Sequence, residues 1–501
     1  MRTLFKGFAS DGRSEPERKT ILVENDRIIA VEKEIYGSSA ADRIYSFKDE
    51  IISPGFIDVH GHSDMSAPAA PAAESRHFQG VTGEISGNCG LSPFPVTGMN
   101  REHLQNLYAD YSIKINWDDL PGYRNFLDGK KIRLRLHPLC GHNTLRAAVA
   151  GYEKKELSDS ELKKMQLMLT EALKSGAAGM SAGLLYAPGC FAGDREITEL
   201  MKTIAACDKV FAIHLRSEGE KLLESLYETL SCAGKAGLKK VEISHLKTAG
   251  KSNWHKLDAV MEMISDFRST GMDVRFDRYP YIESQTMLSV ILPAPFDTMP
   301  DREITRTLRL KPQAVSDIRH ALQKRGTSDW DRWRITGTTH PYWKNFIGRK
   351  YTELPGDRIE AVVEQLTFDA VSATIGAAGM SAENMSRIIT SPLCMAGSDG
   401  FALDHDSPSG NSHPRSFGAV AKFIRLRLDS GISIGNTVKA VTSAPAEFFS
   451  LPETGFLSPG KKADITIFSP DEIDSHADFA DPRRAASGIR LTMFDGSITH
   501  I

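Results

Sequence analysis

The run Pro54-Gly55-Phe56-Ile57-Asp58-Val59-His60-Gly61-His62 ends a β-rich stretch in two histidines two residues apart. Side chains alternate along a strand, so His60 and His62 point to the same side and two imidazoles can reach one cation. A bare pair of this kind also occurs on surface turns, so the other donors decide. Cys89 stands in Gly87-Asn88-Cys89-Gly90, just past a second β-rich run. His214 ends another, His245 follows another in Ile243-Ser244-His245, and Asp399 follows the last in Gly397-Ser398-Asp399-Gly400. Singly, each has a plain structural use: a buried thiol, a satisfied core imidazole, a helix cap. Jointly, they all fall at the carboxyl ends of candidate strands, the face that carries active sites in a barrel. Imidazole, thiolate and carboxylate together suit zinc better than magnesium or calcium, as one or two ions, and a Cys89 thiolate could bridge two.

Eight β-rich runs would position these residues: 51–59, 81–86, 132–137, 177–181, 210–214, 240–244, 273–276 and 393–398. Helical patterns intervene. One, over 158–174, opens with the capping box Ser158-Asp159-Ser160-Glu161 and repeats Leu162, Met165, Leu169 and Leu173 at helical spacing. Others are expected near 195–207, 220–235, 253–269, 416–428 and 435–449. This α/β rhythm predicts a TIM-like (β/α)8 barrel over 54–451, with a doubly wound sheet as the alternative. Both ends are β-rich, and 1–53 with 452–501 would form one small, β-sandwich-like composite domain. The stretch 289–357 breaks the rhythm with six prolines and with Trp330, Trp333 and Trp343. It is too long for a structureless loop and reads as an insertion after the seventh strand, usable as a lid.

Composition narrows the class of function. A net charge of −3 over 501 residues provides no basic field for nucleic acid or anionic membrane. The chain shows no apolar run of about 18 residues and no secretory h-region, which predicts a cytoplasmic protein. The six cysteines form no CxxC pair, so they read as reduced thiols, Cys89 excepted.

At its candidate ligands the sequence resembles the amidohydrolase superfamily and, within it, the D-aminoacylases (N-acyl-D-amino-acid deacylases). The resemblance runs through PGFIDVHGHSD, GVTGEISGNCG, GLLYAPG, HLRSEG, ISHLKTAGKSNW, AGSDG, HPRSFG and the closing GFLSPGKKADITIF. GNCG is the more specific mark, since many members of the superfamily use a carboxylated lysine where these enzymes use cysteine. The resemblance implies a TIM-like barrel with a small β-domain. It implies His60 and His62 at one metal position, His214 and His245 at the other, Cys89 at or between them, and Asp399 as ligand and proton shuttle. It also implies Lys247, Tyr279 and Arg415 as holders of the substrate carboxylate, a task suited to cations and a phenol. Two departures stand out: a longer connection from Asp399 to Arg415, and Glu283 where the family usually has small residues.

The implied reaction is hydrolysis of an N-acyl-D-amino acid to a carboxylic acid and a free D-amino acid. Asp399 would take a proton from the attacking water and return it to the leaving amine. The alternatives are a cyclic-amide hydrolase, an isoaspartyl-type dipeptidase, and a barrel kept only for binding. Absence of a clear carboxylated-lysine candidate after the fourth strand argues against the first two, and the presence of every candidate ligand argues against the last. The partner expected is a small N-acylated amino acid. His137 and His142 read as core or surface residues.

Overall fold

The computed structural model describes residues 1–34, 41–108, 111–407 and 413–501. Its centre is a set of parallel strands: β1 (Phe56–Asp58), β2 (Val81–Ser86), β3 (Arg135–Pro138 and, past Leu139, Cys140–Gly141), β4 (Gly179–Gly183), β5 (Val210–His214), β6 (Lys240–Ile243), β7 (Asp273–Arg278) and β8 (Cys394–Ala396). The first part of β3 pairs with β2 and the second with β4. β8 lies beside β7, and its end bonds back to the end of β1. There the Val59 N–H donates to Ala396 O (3.0 Å), the Asp399 N–H to His60 O (2.7 Å) and the His62 N–H to Gly400 O (2.8 Å). The protein is therefore mixed α/β, built on parallel strands with helices between them.

Alternation along the strands sorts the core into two layers. Phe211 and Ile213 face the helices in the largest apolar cluster. Val210 and Ala212 join Ile57, Val59, Ile85, Leu139, Ala178 and Met395 in a second cluster on the other face. The helix Asp159–Lys174 carries the expected capping box, and Leu162, Met165, Leu169 and Leu173 are buried. The helical pattern over 435–449 is broken into Ile434–Val441 and Ser443–Phe448, because Thr442 leaves helical geometry at φ −137° and ψ −88°.

The β-rich run 51–59 is divided between two sheets. Arg43–Pro54 belongs to a sheet of both chain ends, and β1 starts two residues later. The divide sits at Gly55, where a Cβ would collide with the Thr82 side chain of β2. The end sheet has seven strands, Ser497–His500, Ile489–Phe494, Ile465–Phe468, Arg43–Pro54, Arg2–Ala9, Glu17–Glu24 and Arg27–Glu32 in spatial order, with an apolar cluster of its own.

Between β7 and β8 the chain builds a further unit. Glu283–Met287, Thr374–Ala378 and Trp333–Gly337 form an antiparallel sheet with Thr374–Ala378 in the middle. Helices Asp301–Leu310, Pro312–Gln323 and Arg358–Asp369 cover a separate apolar cluster that includes Trp330, Trp333 and Trp343. The stretch 289–357 lies inside this unit.

Candidate metal centre

At the carboxyl ends of the parallel strands, two donor groups share one thiol. His60, His62, Cys89 and Asp399 place one ligand atom each within 4.8 Å of one another, and so do Cys89, His214 and His245. All six residues are buried. Each could hold a metal ion by residue type, and the mixture of imidazole, thiolate and carboxylate fits zinc.

The backbone turns these side chains inward. Cys89, His245 and Asp399 adopt left-handed conformations, at φ 53°, 39° and 51°. Such values are uncommon outside glycine, cost on the order of 1–3 kcal/mol each, and concentrate at functional sites. At His245 the purpose is plain. Val241 and Ile243 point to the helices, so strict alternation would send residue 245 outward as well. The left-handed turn brings its ring back to 3.6 Å from Cys89 Sγ, measured at Nε2. Around Cys89 the chain has no spare room: at Gly90, with φ 76°, a Cβ would strike the Asn143 carboxamide.

Buried carboxylates orient the histidines. Asp277 Oδ2 lies 3.0 Å from His60 Nδ1, and Glu218 Oε1 lies 2.9 Å from His245 Nδ1. Asp277 accepts the hydrogen bond of the His60 Nδ1–H and leaves the Nε2 lone pair aimed inward, 3.4 Å from Cys89 Sγ, while His245 Nδ1 is flanked by Glu218 and, at 2.8 Å, by Lys247 Nζ. Neither ring nitrogen of His214 has a hydrogen bond, and its Nε2 is 3.8 Å from Glu218 Oε2. A buried imidazole without hydrogen bonds is what a cation ligand looks like before its ion is counted.

A second layer fixes the loops. Asp58 Oδ1 accepts from the backbone N–H of His60 (3.1 Å) and of Ser398 (2.9 Å). Glu84 accepts from the Ser63 N–H (2.9 Å) and hydroxyl (2.6 Å). Arg76, fully buried, pairs with Asp58 at 3.0 Å and with Glu84 at 2.7 Å. One guanidinium thus pairs with both carboxylates that hold the His60–Ser63 segment and the residue before Asp399.

Charge accumulates at the shared donor. Burial alone raises a thiol's pKa. The His60 charge and the ring nitrogens of His214, His245 and His60 outweigh burial and hold Cys89 well below the usual thiol range. Asp399 is likewise kept well below the usual carboxylate range: burial opposes, while the Arg415 charge and the His62 hydrogen bond prevail. Its Oδ1 lies 3.1 Å from His62 Nε2 and its Oδ2 accepts from Arg415 Nη1 at 2.7 Å.

The three expected carboxylate holders converge beside this group. Lys247 Nζ is 2.5 Å from Glu218 Oε1 and 5.9 Å from the centroid of the Tyr279 ring; Arg415 Cζ is 5.4 Å from the same centroid. The longer connection therefore brings Arg415 to the site, although its residues 408–412 lie outside the described ones. Glu283 turns elsewhere, onto Arg334. His142 pairs with Glu196 away from the donors, and His137 lines a cavity of about 300 Å³ at the opposite end of the strands. Sequence reasoning missed Asp277, Glu218, Asp58, Glu84 and Arg76. Four of them had a signal: Asp58 sits inside PGFIDVHGHSD, Glu84 inside GVTGEISGNCG and Glu218 inside HLRSEG, and Asp277 follows Asp273 and Arg275 at the even spacing of one strand face.

A model of the amidohydrolase family matches residues 349–500. The N-acyl-D-glutamate deacylase of Alcaligenes xylosoxydans xylosoxydans is 29% identical over 503 residues, covering 98% of this chain and 91% of that protein. The D-aminoacylase of the same organism is 27% identical over 501 residues, covering 98% and 92%. A solved structure of N-acyl-D-glutamate deacylase from Bordetella bronchiseptica, complexed with zinc and a phosphonate mimic of the tetrahedral intermediate, superposes with a TM-score of 0.82 at 26% identity, over 99% of this chain and 96% of that one. These likenesses run through the end sheet, the parallel strands and the unit between β7 and β8 alike. Over nearly its whole length the chain is similar to the D-aminoacylases, and its residues 349–500 match the amidohydrolase family.

Proposed function

We propose that this chain removes the acyl group from N-acyl-D-amino acids, giving a carboxylate and a free D-amino acid, with zinc held by His60, His62, Cys89, His214, His245 and Asp399. The observation that carries the reading is the pair of donor groups sharing Cys89, set beside two cations and a phenol. Relatives named for N-acyl-D-glutamate and D-amino-acid deacylation support the substrate class, and the zinc of the Bordetella structure supports the metal. Zinc bound there supplies a Lewis acid and brings the pKa of water toward neutrality.

The chain's own residues do the rest. Lys247, Tyr279 and Arg415 hold the substrate carboxylate, which fixes the amide relative to Asp399. Asp399 takes the proton of the attacking water and gives it to the departing amine. When Arg415 turns from Asp399 to the substrate carboxylate, the charge that depresses Asp399 is shared, so substrate binding raises the basicity of the general base.

The proposed architecture is a closed (β/α)8 barrel over 54–451, with 1–53 and 452–501 as a composite domain and 289–357 as a lid-like insertion. The bonds between the ends of β1 and β8 support closure. The substrate is a small molecule and the setting cytoplasmic, with neither nucleic acid nor membrane as partner. Six free cysteines fit a reducing compartment, and no described helix is long and apolar enough to cross a membrane. The test is Asp399→Asn. Its fold and melting temperature are expected to persist while kcat falls about 10²–10⁴-fold; turnover near that of the parent chain would refute the assignment.

A further inference from the structure

The carboxylate of Glu283 does not point at the donors. It forms a two-pronged pair with Arg334, Oε2 to Nε at 3.1 Å and Oε1 to Nη2 at 3.3 Å. The two residues lie on the outer strands of the antiparallel sheet. They reach each other across the middle strand where Glu283 pairs with Ala378 and Arg334 with Gly376, both small enough to be bridged. Arg334 Nη1 also donates to Gly348 O at 2.5 Å, so the guanidinium is held from two sides.

The backbone of Glu283 points the other way, toward the site. Its carbonyl accepts from His413 Nε2 at 3.1 Å, while His413 Nδ1 accepts the backbone N–H of Arg415 at 3.1 Å. A ring that accepts at Nδ1 must carry its proton at Nε2, so His413 is neutral and its orientation is fixed from both ends. Aromatic edges complete the socket: Tyr281 at 5.3 Å, Phe479 at 5.0 Å and Tyr279 at 6.3 Å between ring centroids. Arg334 Cζ lies 4.3 Å over the other neighbour of this socket, the Phe479 ring. His413 is fully buried.

We propose that Glu283, Arg334 and His413 are positioning residues that tie the unit between β7 and β8 to Arg415 and thereby set the receptor for the substrate carboxylate. The inference rests on the reading of Arg415 as that receptor. The unit is then a fixed wall of the binding site, anchored at Glu283, and Glu283 acts through His413 rather than on the substrate.

The test uses the zinc-loaded enzyme and two substrates, an N-acetyl-D-amino acid and its C-terminal carboxamide. Variants are His413→Gln, His413→Asn, Arg334→Met and Arg334→Lys, with Arg415→Met as the reference. For the carboxylate substrate, KM is expected to rise about 10-fold in His413→Gln and about 3–10-fold in Arg334→Met, with kcat within about twofold, since misplaced binding groups weaken ground state and transition state alike. Arg334→Lys keeps a charge for Glu283 and should recover part of the loss. His413→Asn keeps the acceptor for the Arg415 N–H and should fall between the parent and His413→Gln. The carboxamide, which offers Arg415 no carboxylate, should be turned over equally by the parent chain and by the His413 and Arg334 variants. Equal losses on both substrates, or an unchanged KM in Arg334→Met and His413→Gln, would overturn the inference. An unchanged carboxylate KM in Arg415→Met would instead overturn the reading beneath it. Arg334 lies outside the donor group, so its variants report even if His413 variants misfold.

Discussion

The two donor groups share Cys89 but differ in what else is asked of them. In the group of Cys89, His214 and His245, every member keeps a donor atom for a metal: His245 engages Glu218 and Lys247 through Nδ1 and turns Nε2 to Cys89, and His214 has no hydrogen bond. Three protein donors with a position left open is the pattern of a catalytic zinc. In the group of His60, His62, Cys89 and Asp399 the carboxylate is already engaged, by Arg415 on one oxygen and His62 on the other. It is also the group assigned to move the proton. A carboxylate that must release Arg415 and exchange a proton holds a cation less firmly than its charge suggests. The contrast separates a firmly held position from a weaker one, with Cys89 tying them together.

Replacement of the shared donor should do the most damage. Cys89→Ala is expected to lose all bound zinc and to lower kcat about 10⁴-fold, the scale of removing a unit of the catalytic machinery. Next comes His214→Asn, expected to lose one metal equivalent and about 10³-fold in kcat, as for loss of a principal electrostatic stabiliser. His62→Asn should lose one equivalent with a smaller fall, about 10–100-fold. Metal content and turnover measured together decide the order, and an inverted order would break the contrast. The smallest effects belong to the orienting carboxylates: Glu218→Gln and Asp277→Asn should each weaken zinc binding about 10–100-fold, read by competition with a chelator. If Asp277→Asn weakened both equivalents equally, the two groups would have to be treated as one.

Much of this site was readable from spacing. His60, His62, Cys89, His214, His245 and Asp399 announce themselves because each follows a short β-rich run, and parallel strands gather their carboxyl ends on one face. The carboxylates that orient them were harder to see. Asp58, Glu84 and Asp277 lie within strands, where an acidic side chain looks like a solvent-facing residue until the burial of both faces is known. The antiparallel sheet between β7 and β8 was not legible for a different reason. Glu283–Met287 and Thr374–Ala378 are short, hold few β-branched residues, and pair across about 90 positions. Nothing local in ESQTM names TIGAA as its partner. The division of 51–59 between two sheets was likewise hidden, because the apolar pattern continues through Gly55 and only the crowding against Thr82 marks the change.

The most direct test of the account is a stereochemical deacylation panel with zinc removed and restored. N-acetyl-D-amino acids, their L-enantiomers, a hydantoin and a β-aspartyl dipeptide are offered to the protein as purified, after chelation, and after addition of zinc. The account predicts hydrolysis of the D-series alone, lost on chelation and recovered with zinc. Turnover that survives chelation, or that favours the L-enantiomers or the cyclic amide, would contradict it.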